Sequence, residues 1–120
     1  MSINTLKTGQ FDTMIATHEL VFVDFWAEWC APCKQFARVY EHVAKENPSI
    51  NFTKVNIEEE TELAENLQIR SIPHLMIFKQ GILIYSEAGA MPESTLKDLV
   101  NQAITVDVTE IRAKIDKEED

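Results

Sequence analysis

Basic residues are scarce in this chain. Lys and Arg number 11 against 20 Asp and Glu, a formal net charge of −9. Nucleic-acid binding needs a basic stripe that displaces counterions, so no nucleic-acid partner is expected. No apolar run approaches the roughly 20 residues that cross a bilayer, so no membrane partner is expected either. Gly (3) and Pro (4) are few, which points to short loops and a chain mostly in regular elements. The start, Met1 to Lys7, lacks a basic segment followed by an apolar one, so no signal peptide is expected. The expected compartment is therefore the cytoplasm, where thiols are kept reduced. Cysteine occurs only as Cys30 and Cys33, and two cysteines in such a compartment do not read as a structural staple.

What is present fits one soluble domain. The 120 residues are 45% hydrophobic and 26% charged, enough to bury an ordinary core. The acidic excess is partly local, in Glu58-Glu59-Glu60 and in the terminal Glu118-Glu119-Asp120, which read as a solvated face and a solvated tail. Leu20 to Trp26 is a nearly continuous apolar run, as in a strand covered on both faces, interrupted only by Asp24. From Ala31 to about Asn47 the spacing of Phe36, Val39, Tyr40 and Val43 predicts a helix, stopped at Asn47-Pro48-Ser49.

Ile50 to Ile57 reads as a strand and Glu60 to about Leu67 as a short helix. Leu75–Phe78 and Ile82–Tyr85 flank a hairpin turn at Gly81, and a last helix begins near Pro92. Asp12 is expected to cap a short first helix running to about Thr17, after a weak strand at Ile3–Leu6. Val108 to Lys117 is open between a further helical turn or two and a frayed end. The β-α-β order requires a parallel central portion, and the hairpin adds an antiparallel edge. The result is a three-layer α/β domain.

Trp29-Cys30-Ala31-Pro32-Cys33-Lys34 follows a buried strand and opens a helix. A helix N-terminus offers unpaired N–H groups and partial positive charge, which favour the thiolate. Two intervening residues let the second sulfur reach the first, so the pair can close a disulfide and reopen it. Pro32 suits the first helical turn, where its missing N–H costs nothing. Cys30, at the exposed lip, is the expected attacking sulfur, and Cys33, inside the first turn, the resolving one. A lone CxxC also occurs as half of a zinc site, but zinc wants four ligands and His18, His42 and His74 are not suitably spaced, so no metal is expected. A static disulfide would be out of place in a reducing compartment.

Asp24, inside an apolar strand, should have a raised pKa and can take a proton from Cys33 directly or through a water. Lys54, on the neighbouring strand, is the candidate partner that tempers the shift. A purely structural capping role for Asp24 remains the alternative. Pro73, just before a strand of the sheet interior, cannot donate a ladder hydrogen bond.

Taken together, Val23-Asp24-Phe25-Trp26-Ala27-Glu28-Trp29-Cys30-Ala31-Pro32-Cys33-Lys34 resembles the active-site signature of the thioredoxin family. Ser71-Ile72-Pro73 resembles its cis-proline loop, Phe78-Lys79-Gln80-Gly81 its hairpin turn, and Ala88-Gly89-Ala90 its substrate-groove glycine. The resemblance implies the thioredoxin fold, a mixed five-stranded sheet in the order 1-3-2-4-5 flanked by four helices. It implies a monomeric protein-disulfide reductase with no bound cofactor, re-reduced by thioredoxin reductase at the expense of NADPH. It also implies a cis Ile72–Pro73 bond and a substrate surface made by Trp29, Ile72, Pro73 and Gly89. The thioredoxin domain is expected over residues 1–106, with 107–120 an acidic extension.

Ala31, in place of the usual glycine, His74 after the proline, and that extension depart from the family pattern. The competing functions are an oxidase or isomerase of the same fold, and a binding role in which redox activity is incidental.

Overall fold

The computed structural model describes residues 3–118, so Glu119 and Asp120 of the acidic end lie outside the described residues. Five strands and five helices follow one another as β1 (Ile3–Thr5), α1 (Thr8–Thr17), β2 (Leu20–Trp26), α2 (Ala31–Glu46), β3 (Asn51–Asn56), α3 (Thr61–Asn66), β4 (His74–Lys79), β5 (Ile82–Ala88), α4 (Glu93–Thr105) and α5 (Thr109–Glu118). The strands form one sheet in the order β1-β3-β2-β4-β5. β3 pairs in parallel with β1 and β2, whereas β4 runs antiparallel to both β2 and β5. The four helices implied by the resemblance are present, and α5 is a fifth.

Alternation along the central strands divides the core in two. Leu20 and Phe22 of β2 face α2 and α4, where Phe36, Tyr40, Val43, Leu96 and Val100 complete the packing. Val21, Val23 and Phe25 point to the opposite layer, with Leu6, Phe11 and Leu63. Within the first layer, Phe52 stacks on Phe22 at 4.7 Å between ring centroids, and Tyr40 meets it edge-on at 5.2 Å. The tight β4–β5 turn places Gln80 and Gly81 at positive φ (52° and 80°), the conformation that a two-residue hairpin of primed type requires.

Two boundaries differ from those expected. α1 begins at Thr8, and Asp12 lies within it rather than capping it. The donors at its start find partners elsewhere: Lys7 N–H donates to Gln10 Oε1 (3.0 Å), and Thr8 N–H donates to Glu60 Oε1 (2.9 Å) at the head of α3. β5 continues to Ala88, because β4 offers pairing partners up to His74↔Ala88.

Lys79, expected only as part of the hairpin turn, is buried at the end of β4. Its ammonium donates to the carbonyls of Ala103 (2.8 Å), Ile104 (2.8 Å) and Val106 (2.7 Å). These are acceptors that the C-terminus of α4 leaves without helical partners, and a cation there also complements the helix dipole. Lys79→Met should keep the aliphatic packing but leave the carbonyls unpartnered. The expected loss is about 2–3 kcal/mol, read from urea unfolding with an unchanged m-value. A loss under about 0.5 kcal/mol would show that water replaces the ammonium at no cost.

Candidate active site

The site is assembled where β2 ends and α2 begins. Cys30 is the N-cap of α2, in extended conformation, with Ala31, Pro32 and Cys33 forming the first turn. Pro32 falls where no helical N–H partner exists to be lost. Lys34 N–H donates to Cys30 O (3.2 Å), starting the helix, and Cys33 N–H donates to Cys30 Sγ (3.2 Å). That amide and the helix dipole both favour negative charge on Cys30 in the reduced pair. The two sulfurs are joined as a disulfide across a Cα–Cα distance of 5.2 Å.

The expected difference in exposure is small: Cys30 is 4% accessible and Cys33 1%. Both pack with Ala27 in a cluster bordered by Trp26, Ile57 and Ile72, and this cover removes the exposed lip predicted for Cys30. What sets Cys30 apart is its surroundings. Trp29 beside it is 67% exposed, and the carbonyl oxygen of Ile72 lies 3.8 Å from its sulfur.

The Ile72–Pro73 bond is cis. Gly89 N–H donates to Pro73 O (2.7 Å), which brings the end of β5 to the same rim. Gly89 holds φ at +112°, a conformation that L side chains rarely adopt, and the space its missing Cβ would occupy is open. Trp29 adjoins Cys30 in the chain, Ile72 packs against the cysteine cluster, and Gly89 is tied to the same loop through Pro73.

Asp24 sits under α2, only 3% accessible, in register with Lys54 on β3 and Leu75 on β4. Its Oδ1 has no hydrogen-bond partner among the protein atoms, nor has the buried Nε1 of Trp26. Burial pushes the Asp24 carboxyl up to about 8, and the Lys54 charge acts weakly in the opposite sense. Lys54 makes no ion pair with Asp24; its ammonium lies over the Trp26 ring, 5.2 Å from the centroid. Burial, and then the nearby Asp24 charge, hold the Tyr40 hydroxyl well above its usual range. Its hydroxyl donates to Thr53 O at 2.7 Å.

The acidic run after β3 does more than face solvent. Glu58 accepts the indole N–H of Trp29, and Glu60 accepts both the backbone N–H and the hydroxyl of Thr8. Nothing in the local sequence marks either role, since the donors lie 29 and 52 residues away.

The thioredoxin family model matches residues 2–102. This chain belongs to the thioredoxin family. A thioredoxin 2 relative from Streptomyces coelicolor is 44% identical over 110 residues, covering 92% of this chain and 82% of the relative. The thioredoxin of Porphyra purpurea is 38% identical over 107 residues, covering 88% of this chain and all of its own. Among solved structures, a Plasmodium falciparum thioredoxin superposes with a TM-score of 0.76 at 37% identity, over 82% of this chain and 97% of its own. A mutant thioredoxin from Halobacterium salinarum reaches 0.79 at 25% identity, over 88% and 93%. Like other thioredoxins, the chain is a thiol–disulfide oxidoreductase, and Cys30–Cys33 is its redox-active disulfide. No described helix is long and apolar enough to cross a membrane.

The Asp24 pKa carries a prediction for stability. An unfolded-state carboxyl near 3.8 and a folded one near 8 mean that the folded chain binds this proton more tightly. The contribution is therefore fully present below about pH 4 and is lost as pH rises towards 8, by about 1.4 kcal/mol per unit within that window. Asp24→Asn should be more stable than wild type at pH 8, and the gap should close on going to pH 4. Urea unfolding at both pH values measures it, and a gap independent of pH would show that the carboxyl does not titrate in this range.

Proposed function

We propose that the chain reduces protein disulfides with Cys30 as the attacking sulfur and Cys33 as the resolving one. The Cys30 thiolate attacks one sulfur of a client disulfide, forming a mixed disulfide and expelling the other client sulfur as a thiolate. The Cys33 thiolate then attacks Cys30 Sγ, expelling the second client sulfur as a thiolate and leaving Cys30–Cys33 oxidised. Two electrons pass from the pair to the client. The observation that carries the assignment is the N-cap position of Cys30, whose sulfur accepts the Cys33 amide and faces the Ile72 carbonyl.

Asp24 is assigned as the acceptor of the Cys33 proton, directly or through a water. It lies beneath the helix that carries Cys33, and its carboxyl near 8 is matched to a thiol whose ordinary value is about 8.5. Lys54 tempers that value through space. Trp29, Ile72, Pro73 and Gly89 form the docking groove, in which an extended client segment pairs with the Ile72 backbone. Residues 1–106 form the working domain, with 107–120 an accessory extension. The protein acts as a monomer in the cytoplasm, re-reduced by thioredoxin reductase with electrons from NADPH.

Cys33→Ser should accumulate a client adduct through Cys30 and turn over no insulin disulfides, while Cys30→Ser should trap nothing. Mass spectrometry of the digested adduct locates the bond, and client attached to Cys33 would invert the assignment. Asp24→Asn should also slow the resolving step between pH 6 and 8 by about a hundredfold, the lower end of the range for a lost general base. Stopped-flow Trp fluorescence follows that step, and unchanged kinetics would make Asp24 purely structural.

A further inference from the structure

We propose that His74, through its hydrogen bond to Ser86, is a positioning residue that holds the two sides of the docking groove together and so favours extended protein segments over small disulfides. The inference rests on the groove assignment made above and deepens it.

The groove rim continues the antiparallel β4–β5 ladder beyond its last pair, His74↔Ala88. Pro73 has no N–H, so at that level β4 can only accept, and the backbone tie across the rim is the Gly89 N–H to Pro73 O bond. Ladder pairing there is weaker by the donor that any other residue would supply. His74 makes good the loss from its side chain. Its Nε2 is hydrogen-bonded to Ser86 Oγ at 2.8 Å, a diagonal partner on the same face of β5, two residues before Ala88. The ring is fixed from the other side by Phe25 of β2, edge-on with centroids 6.2 Å apart.

His74 thus joins three strands one residue from the cis bond, and Ser86 sits three residues before Gly89. Partial burial lowers the imidazole pKa, opposed by Glu87, so the neutral ring suited to a bond with a hydroxyl is favoured at neutral pH.

An extended client segment must meet the Ile72 backbone and the Gly89 side together, whereas a small disulfide needs only Cys30. Loosening the rim should therefore raise KM for a cystine-bridged peptide while kcat changes little. The experiment compares kcat and KM on such a peptide and on a small aromatic disulfide, for wild type, His74→Leu, His74→Gln, Ser86→Ala, the His74→Leu/Ser86→Ala pair, and Trp29→Ala.

In His74→Leu the ratio of peptide to small-disulfide kcat/KM should fall about five- to tenfold, the amount one hydrogen bond of ordinary net strength contributes, and the fall should lie in KM. His74→Gln, whose amide reaches a similar distance, should restore most of it. Ser86→Ala should show the same fall, and the double variant no further one. Should His74→Leu fold poorly, Ser86→Ala, which changes an exposed residue, carries the same comparison.

An unchanged ratio in His74→Leu and Ser86→Ala, with a raised peptide KM in Trp29→Ala, would overturn the inference and leave the groove standing. Equal losses on both substrates would overturn it as well. An unchanged peptide KM in Trp29→Ala would remove the groove assignment itself and this inference with it.

Discussion

Covering β2 on both faces is the constraint from which the site follows. A strand flanked by β3 and β4 and packed by α2 and α4 on one side, and by α1 and α3 on the other, has no route to water except at its ends. Asp24 lies within that stretch, so its carboxyl is desolvated without a compensating ion pair. The chain leaves the sheet only after Trp26, and the turn there delivers Cys30 to the N-cap of α2. The same packing thus places a poorly solvated acid under the helix and a sulfur at its positively polarised end. Loss of the layer formed by Phe36, Tyr40 and Val43 would expose the one and misplace the other.

Several charged side chains serve as hydrogen-bonding groups for backbone and ring atoms. Lys79 closes the end of α4, Glu60 closes the start of α1, and Glu58 holds the Trp29 indole. Lys54 rests on the Trp26 ring instead of pairing with Asp24. Lys97 pairs with Glu46 and Glu93 on the surface between α2 and α4, where such contacts contribute little. In an acidic chain this use of charge fixes loops and helix ends without placing a cation against the Asp24 carboxyl, which would draw its pKa down.

The parts of this arrangement that are legible in the sequence are those whose cause is local. The apolar run with one carboxylate shows β2 and its burial, helical periodicity shows α2, and the cysteine spacing at their junction shows the chemistry. Asp24 is readable because an acid among Val23, Phe25 and Trp26 has nowhere to find solvent. What cannot be read depends on partners far along the chain. The start of α1 rests on Glu60, the position of Trp29 on Glu58, and the buried state of Lys79 on three carbonyls of a helix about two dozen residues later. The small accessibility of Cys30 arises in the same way, because Ile57 and Ile72 come from separate loops to cover it. His74 is visible as a departure from the family pattern, but its tie to Ser86 needs the β4–β5 register.

The buried acid links stability to reactivity. Between about pH 4 and 8 the folded chain holds a proton on Asp24 that the unfolded chain would release, and ionising it weakens the fold. The ionised form is nevertheless the one that the proposed proton transfer from Cys33 requires. Desolvation that makes the carboxylate costly also makes it a stronger base, so destabilisation and proton affinity are two expressions of one interaction. A closer Lys54 would stabilise the charge and weaken the base; an amide at this position would stabilise the fold and abolish it. Holding the cation on Trp26 leaves Asp24 poised between these limits, at a pKa of about 8, close to the ordinary value of a free thiol.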